Sequence, residues 1–203
     1  MKKLFLGMAA FCLMIVAGVN TTASAAEAVE MSQAAPTVSI LGTWTTDITD
    51  MMGEELRPSL KKADMLMTFS GQHSSTMVID FAANMDQDGI TVDFSVRITL
   101  NGYYTREGNN LSINFATATP KIEVYKLKFG GNAEVQEAVK ALGLEAMLKE
   151  ELAKEMTSEE MMTSFRSMVG ETTITRLTST ELSLTDDGGT HLTFKKKSTS
   201  KKR

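Results

Sequence analysis

Histidine and cysteine are the side chains from which most nucleophilic and metal chemistry is built, and this 203-residue chain has three of them: His73, His191 and Cys12. His73 sits in "SGQHSS", a turn composition, and His191 alternates onto the outward face beside Leu192. A serine hydrolase would need a serine on a tight glycine-flanked elbow, and no serine here has that setting. Two separated histidines without a thiolate make a poor zinc set. Twelve methionines follow residue 25 and suggest thioether copper ligation. Met51-Met52 and Met161-Met162 nevertheless lie far apart, and Met65 and Met67 fall on a core pattern. The expectation is a non-enzyme with no catalytic residue, metal or cofactor; enzymatic activity is the third and least supported reading.

Cys12 belongs to a leader. "MKKLFLGMAAFCLMIVAGVNTTASA" has a charged start, an apolar stretch from Leu4 to Val19 and a small-residue cleavage pattern at Ala23-Ser24-Ala25. Cleavage after Ala25 is expected, with export to the periplasm or beyond the cell. The apolar run is shorter than the about 20 residues of a spanning helix, so no transmembrane segment is expected in the mature chain. A lipidated cysteine would follow a small residue at the end of the apolar stretch, whereas Cys12 follows Phe11 in its middle. The mature chain then has no thiol, and packing alone must hold it together.

Charge is uneven. Of 21 basic residues, two lie in the leader and six in "KKKSTSKKR", leaving 13 against 25 acids between residues 26 and 194, a balance near −12. Such a body argues against a nucleic-acid partner, because phosphate binding needs a basic face. Residues 26–38 read as a flexible linker, 39–196 as one domain and 197–203 as a basic tail without fixed structure.

The elements follow from periodicity. In "ITVDFSVRITL", residues 90–100, Ile90, Val92, Phe94, Val96, Ile98 and Leu100 share one face and the polar residues share the other, the mark of a half-buried antiparallel strand. The same alternation places Met65, Met67 and Phe69, then Met77, Ile79 and Phe81, on apolar faces. It returns at Leu111 to Phe115, Leu182-Leu184 and Leu192-Phe194. Turn compositions stand at 86–89, 107–110 and 186–189. In "KIEVYKLKF", 121–129, the apolar phase flips between Val124 and Tyr125, which predicts a bulge. Eight or nine strands with one apolar face must stack on a second sheet or close on themselves. Closure, which removes exposed edges, is the expected solution.

Residues 132–169 break the pattern with strong helix formers and no proline. Asn132 is placed to cap a helix carrying Val135, Val139 and Leu142, and Leu144, Leu148 and Leu152 continue the stripe beyond Gly143. "TSEE" at 157–160 has capping-box spacing, before a helix with Met161, Phe165 and Met168 on one face. A smaller insertion at 50–64 contains Pro58, which limits any helix there to about two turns.

"LGTWT" at 41–45, "YYTREGNNLSINF" at 103–115 and "LTSTELSLTDDGGTHLTFKK" at 177–196 together resemble the calycin superfamily, and most of all the small lipocalin-like proteins secreted by gut bacteria of the Bacteroides group. The resemblance touches about a quarter of the domain. It implies a mainly β, antiparallel up-and-down barrel of about eight strands, with Trp44 plugging its closed floor and Lys195 or Lys196 covering the indole. The family usually has arginine at that position, and its long helix follows the barrel, whereas here the helices precede the last strands. The first functional expectation is a small hydrophobic molecule bound inside, against Met65, Met67, Phe69, Met77, Ile79, Phe81, Val92, Phe94 and Val96. The alternative is a solid barrel that engages a protein partner through helices 132–169 or its loops.

Overall fold

The structure is a computed structural model. It describes residues 38–198 except 52–56, 72, 88–89, 116–117, 158, 160–162 and 164–169. The leader, most of the linker, the tail beyond Ser198, part of the 86–89 turn, Ser158 and Glu160 of the expected capping box, and most of the helix expected after it lie outside the described residues.

Nine antiparallel strands are present among the described residues: β1 (Gly42–Asp47), β2 (Leu60–Ser70), β3 (Ser74–Gln87), β4 (Ile90–Glu107), β5 (Asn110–Asn114), β6 (Lys121–Gly130), β7 (Glu171–Leu177), β8 (Glu181–Asp186) and β9 (His191–Lys196). Eight of them close a barrel in the order β1-β2-β3-β4-β5-β7-β8-β9, with β9 pairing back onto β1. Closure satisfies the backbone groups that a one-faced open sheet would leave at its two edges. The inward residues of β4, Val92, Phe94, Val96, Ile98 and Leu100, are buried, as their alternation predicts.

The ring departs from a simple meander at β4. This strand is 18 residues long, and β3 pairs along its whole length on one side. Its other side is shared: residues 91–99 pair with β6, and residues 103–107 pair with the five-residue β5. The wall therefore forks, with β5 continuing the ring to β7 and β6 branching off. Helices α1 (Ala133–Ala141) and α2 (Leu144–Met156) follow β6 and pack against it. Asn132 caps α1 by accepting from the Val135 N–H at 3.0 Å. Gly143, at φ +60°, turns the chain between the helices. On α2, Leu144, Leu148 and Leu152 are buried, and the last two join the barrel's core.

Two bulges shape the outer wall beside β3 and β4, and a third, in β7, leaves Thr175 as the extra residue between Ile174 and Arg176. On β6, Val124 pairs with Val96 and Lys126 with Ser95, so Tyr125 is the extra residue, where the phase flip predicts it. On β2, the register skips Lys61 between Leu60 and Lys62. Each bulge puts two consecutive side chains on the outer face without disturbing the inward alternation. The expected 50–64 insertion is shorter than the sequence suggests: among the described residues it holds single 3-10 turns at Thr49–Met51 and Arg57–Ser59, and from Leu60 the chain is already strand β2. No helix among the described residues is long and apolar enough to cross a membrane.

Candidate functional site

Alternation brings the nine predicted interior residues together. Met65, Met67, Phe69, Met77, Ile79, Phe81, Val92, Phe94 and Val96 belong to one core cluster and are each 0–2% exposed. Phe81 and Phe94 meet edge to face at 6.2 Å, and Phe69 meets Tyr104 in the same way at 5.0 Å. Two polar groups interrupt the apolar lining: the Thr172 hydroxyl donates to the Leu111 carbonyl at 2.9 Å, and the buried Ser75 hydroxyl has no hydrogen-bond partner among the described residues.

Trp44 is fully buried, and its indole N–H donates to the Ile40 carbonyl at 2.7 Å. Lys196 pairs with Trp44 in the β1–β9 register and lays its ammonium 4.9 Å from the ring centroid. Lys195 is exposed, and its register partners are Thr45 and Glu181. Gly42 explains the small residue before the Thr-Trp pair. Its φ is +125°, and a β-carbon there would stand 2.9 Å from Lys196 Cε, so glycine clears the path of the lysine stem.

The start of β1, the β2–β3 and β7–β8 turns, the β4–β5 hairpin and the end of β9 share this Trp44 end. An open cleft of roughly 440 Å³ lies there, walled by residues 38–41, Gly71, His73, Tyr104 and Arg106. The Arg106 guanidinium donates to the carbonyls of Gly108 at 2.8 Å and Val38 at 3.4 Å. His73 holds φ +63°, and its carbonyl accepts from the Tyr104 N–H at 2.8 Å. Of this wall the sequence reading singled out only His73, as a turn residue. His191 lies toward the other end on β9 and bonds only the hydroxyls of Thr185 and Thr193. The two histidines are not brought together. No group of three or more His, Cys, Asp or Glu among the described residues could hold a metal ion.

The bulges in β2 and β6 assemble a polar network on the outer wall. Asp80 on β3 accepts from the Tyr125 hydroxyl at 2.7 Å and Arg97 at 2.9 Å, with Lys62 at 3.4 Å. Asp93 on β4 is held by Lys126 at 2.6 Å and Lys61 at 3.0 Å. Each of these two bulges thus sends one residue to each carboxylate. Burial pushes the Asp80 carboxyl upward, but bonds from Tyr125 and Arg97 and the charge of Lys62 outweigh it and hold the group below the usual carboxylate range. Asp93 is lowered by its bonds to Lys126 and Lys61. Partial burial, then the bond to Asp80, raises the Tyr125 phenol. Every acid here is engaged by a cation, so the network reads as a brace between four strands. A period-2 reading marks these residues only as outward; it cannot say which strands become neighbours.

On the helices, an open cleft of roughly 760 Å³ runs between α1 and α2, with Glu137, Lys140, Glu145 and Lys149 on its walls. Leu142 and Met147 at the same corner are half exposed.

No family model matches this chain, and no curated protein matches it. An uncharacterized protein from Bacteroides eggerthii DSM 20697, known as a crystal structure, aligns with 78% of this chain and 100% of its own at 16% identity, with a TM-score of 0.30. A likeness at that level carries no argument about fold or function.

Proposed function

We infer that this is a non-enzymatic binding protein whose barrel is a filled scaffold and whose ligand or partner is met on the outer surface. The observation that supports this reading is the 0–2% exposure of all nine inward side chains. A small-molecule site needs on the order of 300 Å³ or more of space. A ligand inside would therefore have to displace several of these residues. The clefts at the Trp44 end and on the helices are already open. An exported setting, in the periplasm or outside the cell, fits the leader and the absence of a thiol after it.

Two observations favour a second reading, the interior apolar ligand. Met65, Met67 and Met77 are flexible enough to repack around a guest, and the orphaned Ser75 hydroxyl offers it one polar contact. Native mass spectrometry of protein purified without detergent from its own compartment separates the two. The expected result is the bare mature mass, beginning at Ala26. A stoichiometric lipid that comes off only on solvent unfolding would overturn the filled-barrel reading.

A further inference from the structure

We propose that the cleft at the Trp44 end is a binding site for a small organic carboxylate with an apolar body. This names a ligand class for one of the outer surfaces and rests on the outer-surface reading.

The argument begins with Arg106. It is half-buried and has no carboxylate partner among the described residues; its bonds go to the backbone carbonyls of Gly108 and Val38. A guanidinium held by neutral acceptors keeps its full charge and is pinned in direction. Nη2 makes no bond among the described residues, so the fork still has donors for an oxyanion, and paired donors suit the two oxygens of a carboxylate. Its chain neighbour Glu107 falls on the opposite face of β4 by strand alternation. None of the described residues lining the cleft is acidic, although the body carries a large excess of acids.

His73 supplies the second polar group. Its backbone occupies the left-handed region at φ +63°, which costs any side chain but glycine energy and is tolerated by histidine better than by most. The Tyr104 N–H and ring, 5.8 Å from the imidazole, hold it there. A glycine would fit that turn with less strain, and strained residues of this kind gather at ligand sites. Among the other lining residues, Leu41, 44% exposed, is aliphatic, and the Ser39 hydroxyl already accepts from the Leu41 N–H at 3.2 Å. The cleft thus sets guanidinium and imidazole beside aliphatic surface.

With two histidines in the chain, the imidazole Cε1–H resonances give a direct test. Sodium hexanoate is titrated against the folded protein, with hexanol and inorganic phosphate as parallel probes. The His73 signal is expected to move saturably with hexanoate while His191, toward the opposite end, stays in place, and hexanol is expected to leave both unmoved. Arg106→Gln should weaken the hexanoate response by at least about tenfold, and Arg106→Lys, which keeps charge without the fork, by less. Trp44 fluorescence checks that each variant keeps its floor. Should Arg106→Gln fail that check, Arg106→Lys and the wild-type hexanol comparison decide. The proposal is overturned by no saturable shift, by equal movement of both histidines, or by an undiminished response in Arg106→Gln. A response to phosphate that matches hexanoate would overturn the carboxylate class. None of these outcomes bears on whether a lipid occupies the barrel, so this proposal and the filled-barrel reading can fail separately.

Discussion

At the scale of single residues, the lysine and glycine around Trp44 form a coupled unit. Replacing Lys196 by Met removes the cation over the indole and should cost about 0.5–1 kcal/mol in denaturant unfolding. Gly42→Ala should cost more, about 1–3 kcal/mol, because φ is +125° and the new methyl meets Lys196 Cε. In a Lys196→Ala background the steric part of that cost should vanish, leaving a coupling energy that a double-mutant cycle reads directly. The Asp80 and Asp93 carboxyls give a pH prediction. Both are held below their ordinary value of 3.8 in the fold, so the folded chain binds fewer protons than the unfolded one under acid. The stability they lend is complete above that value and drains away as pH falls through their lower folded values. Urea midpoints between about pH 5 and 2 should fall steeply for wild type. Asp80→Asn should be less stable at neutral pH but show a flatter acid limb. The pairing of Trp44 with a basic cover was legible only through the family resemblance, which left Lys195 and Lys196 open; Lys196 is the one that lies 4.9 Å from the ring. The reason for Gly42 was not legible, because it lies in a contact made only once β1 and β9 pair.

At the scale of elements, the bulge in β6 makes an unusual deletion tolerable. Removing Tyr125 joins Val124 to Lys126 and leaves Ile122, Val124, Leu127 and Phe129 on the same inward face, now in regular alternation. The variant should fold, with unchanged far-ultraviolet circular dichroism, and lose the Tyr125–Asp80 bond, worth about 1.5–3 kcal/mol. Deleting Ser95 from β4 has no such escape. It would turn either Val92 and Phe94 or Val96, Ile98 and Leu100 outward, and no soluble folded protein is expected. For α2, Leu148→Ala or Leu152→Ala should cost about 2–5 kcal/mol, because each leaves a hole against the barrel's core. Met147→Ala, at a half-exposed position, should change the melting temperature little. The bulge, the cap at Asn132 and the Leu stripe were readable because each is a local departure from, or instance of, a chain period. The fork at β4 was not, since alternation says which way a side chain points but is silent on which strand comes to lie beside it. Nor does alternation report volume, so it cannot say how closely the inward residues pack.

At the scale of the whole molecule, the ring is held together unevenly. The β3–β4 ladder runs without a break from Ser74 opposite Tyr103 to Gln87 opposite Ile90. By contrast, β1 meets β9 only at Trp44–Lys196 and Thr45–Lys195, with one further bond from the Lys197 N–H to the Thr43 carbonyl. The junction of β5 with β7 pairs residues 110–112 with 171–173, flanked by one bond from the Ile113 N–H to the Gly170 carbonyl and one from the Ile174 N–H to the Asn109 carbonyl. Three consecutive strands, β7 to β9, are thus joined to the rest of the wall by two short seams. Such a panel is the unit expected to swing away first in native-state fluctuations. Its amides should exchange with deuterium faster than those of β3 and β4, and as a group. Lys196→Ala should speed that exchange in β7–β9 while leaving the β3–β4 ladder unchanged. The lysine that covers Trp44 then acts as the latch of a door, and its grip sets how often the interior is briefly open to solvent.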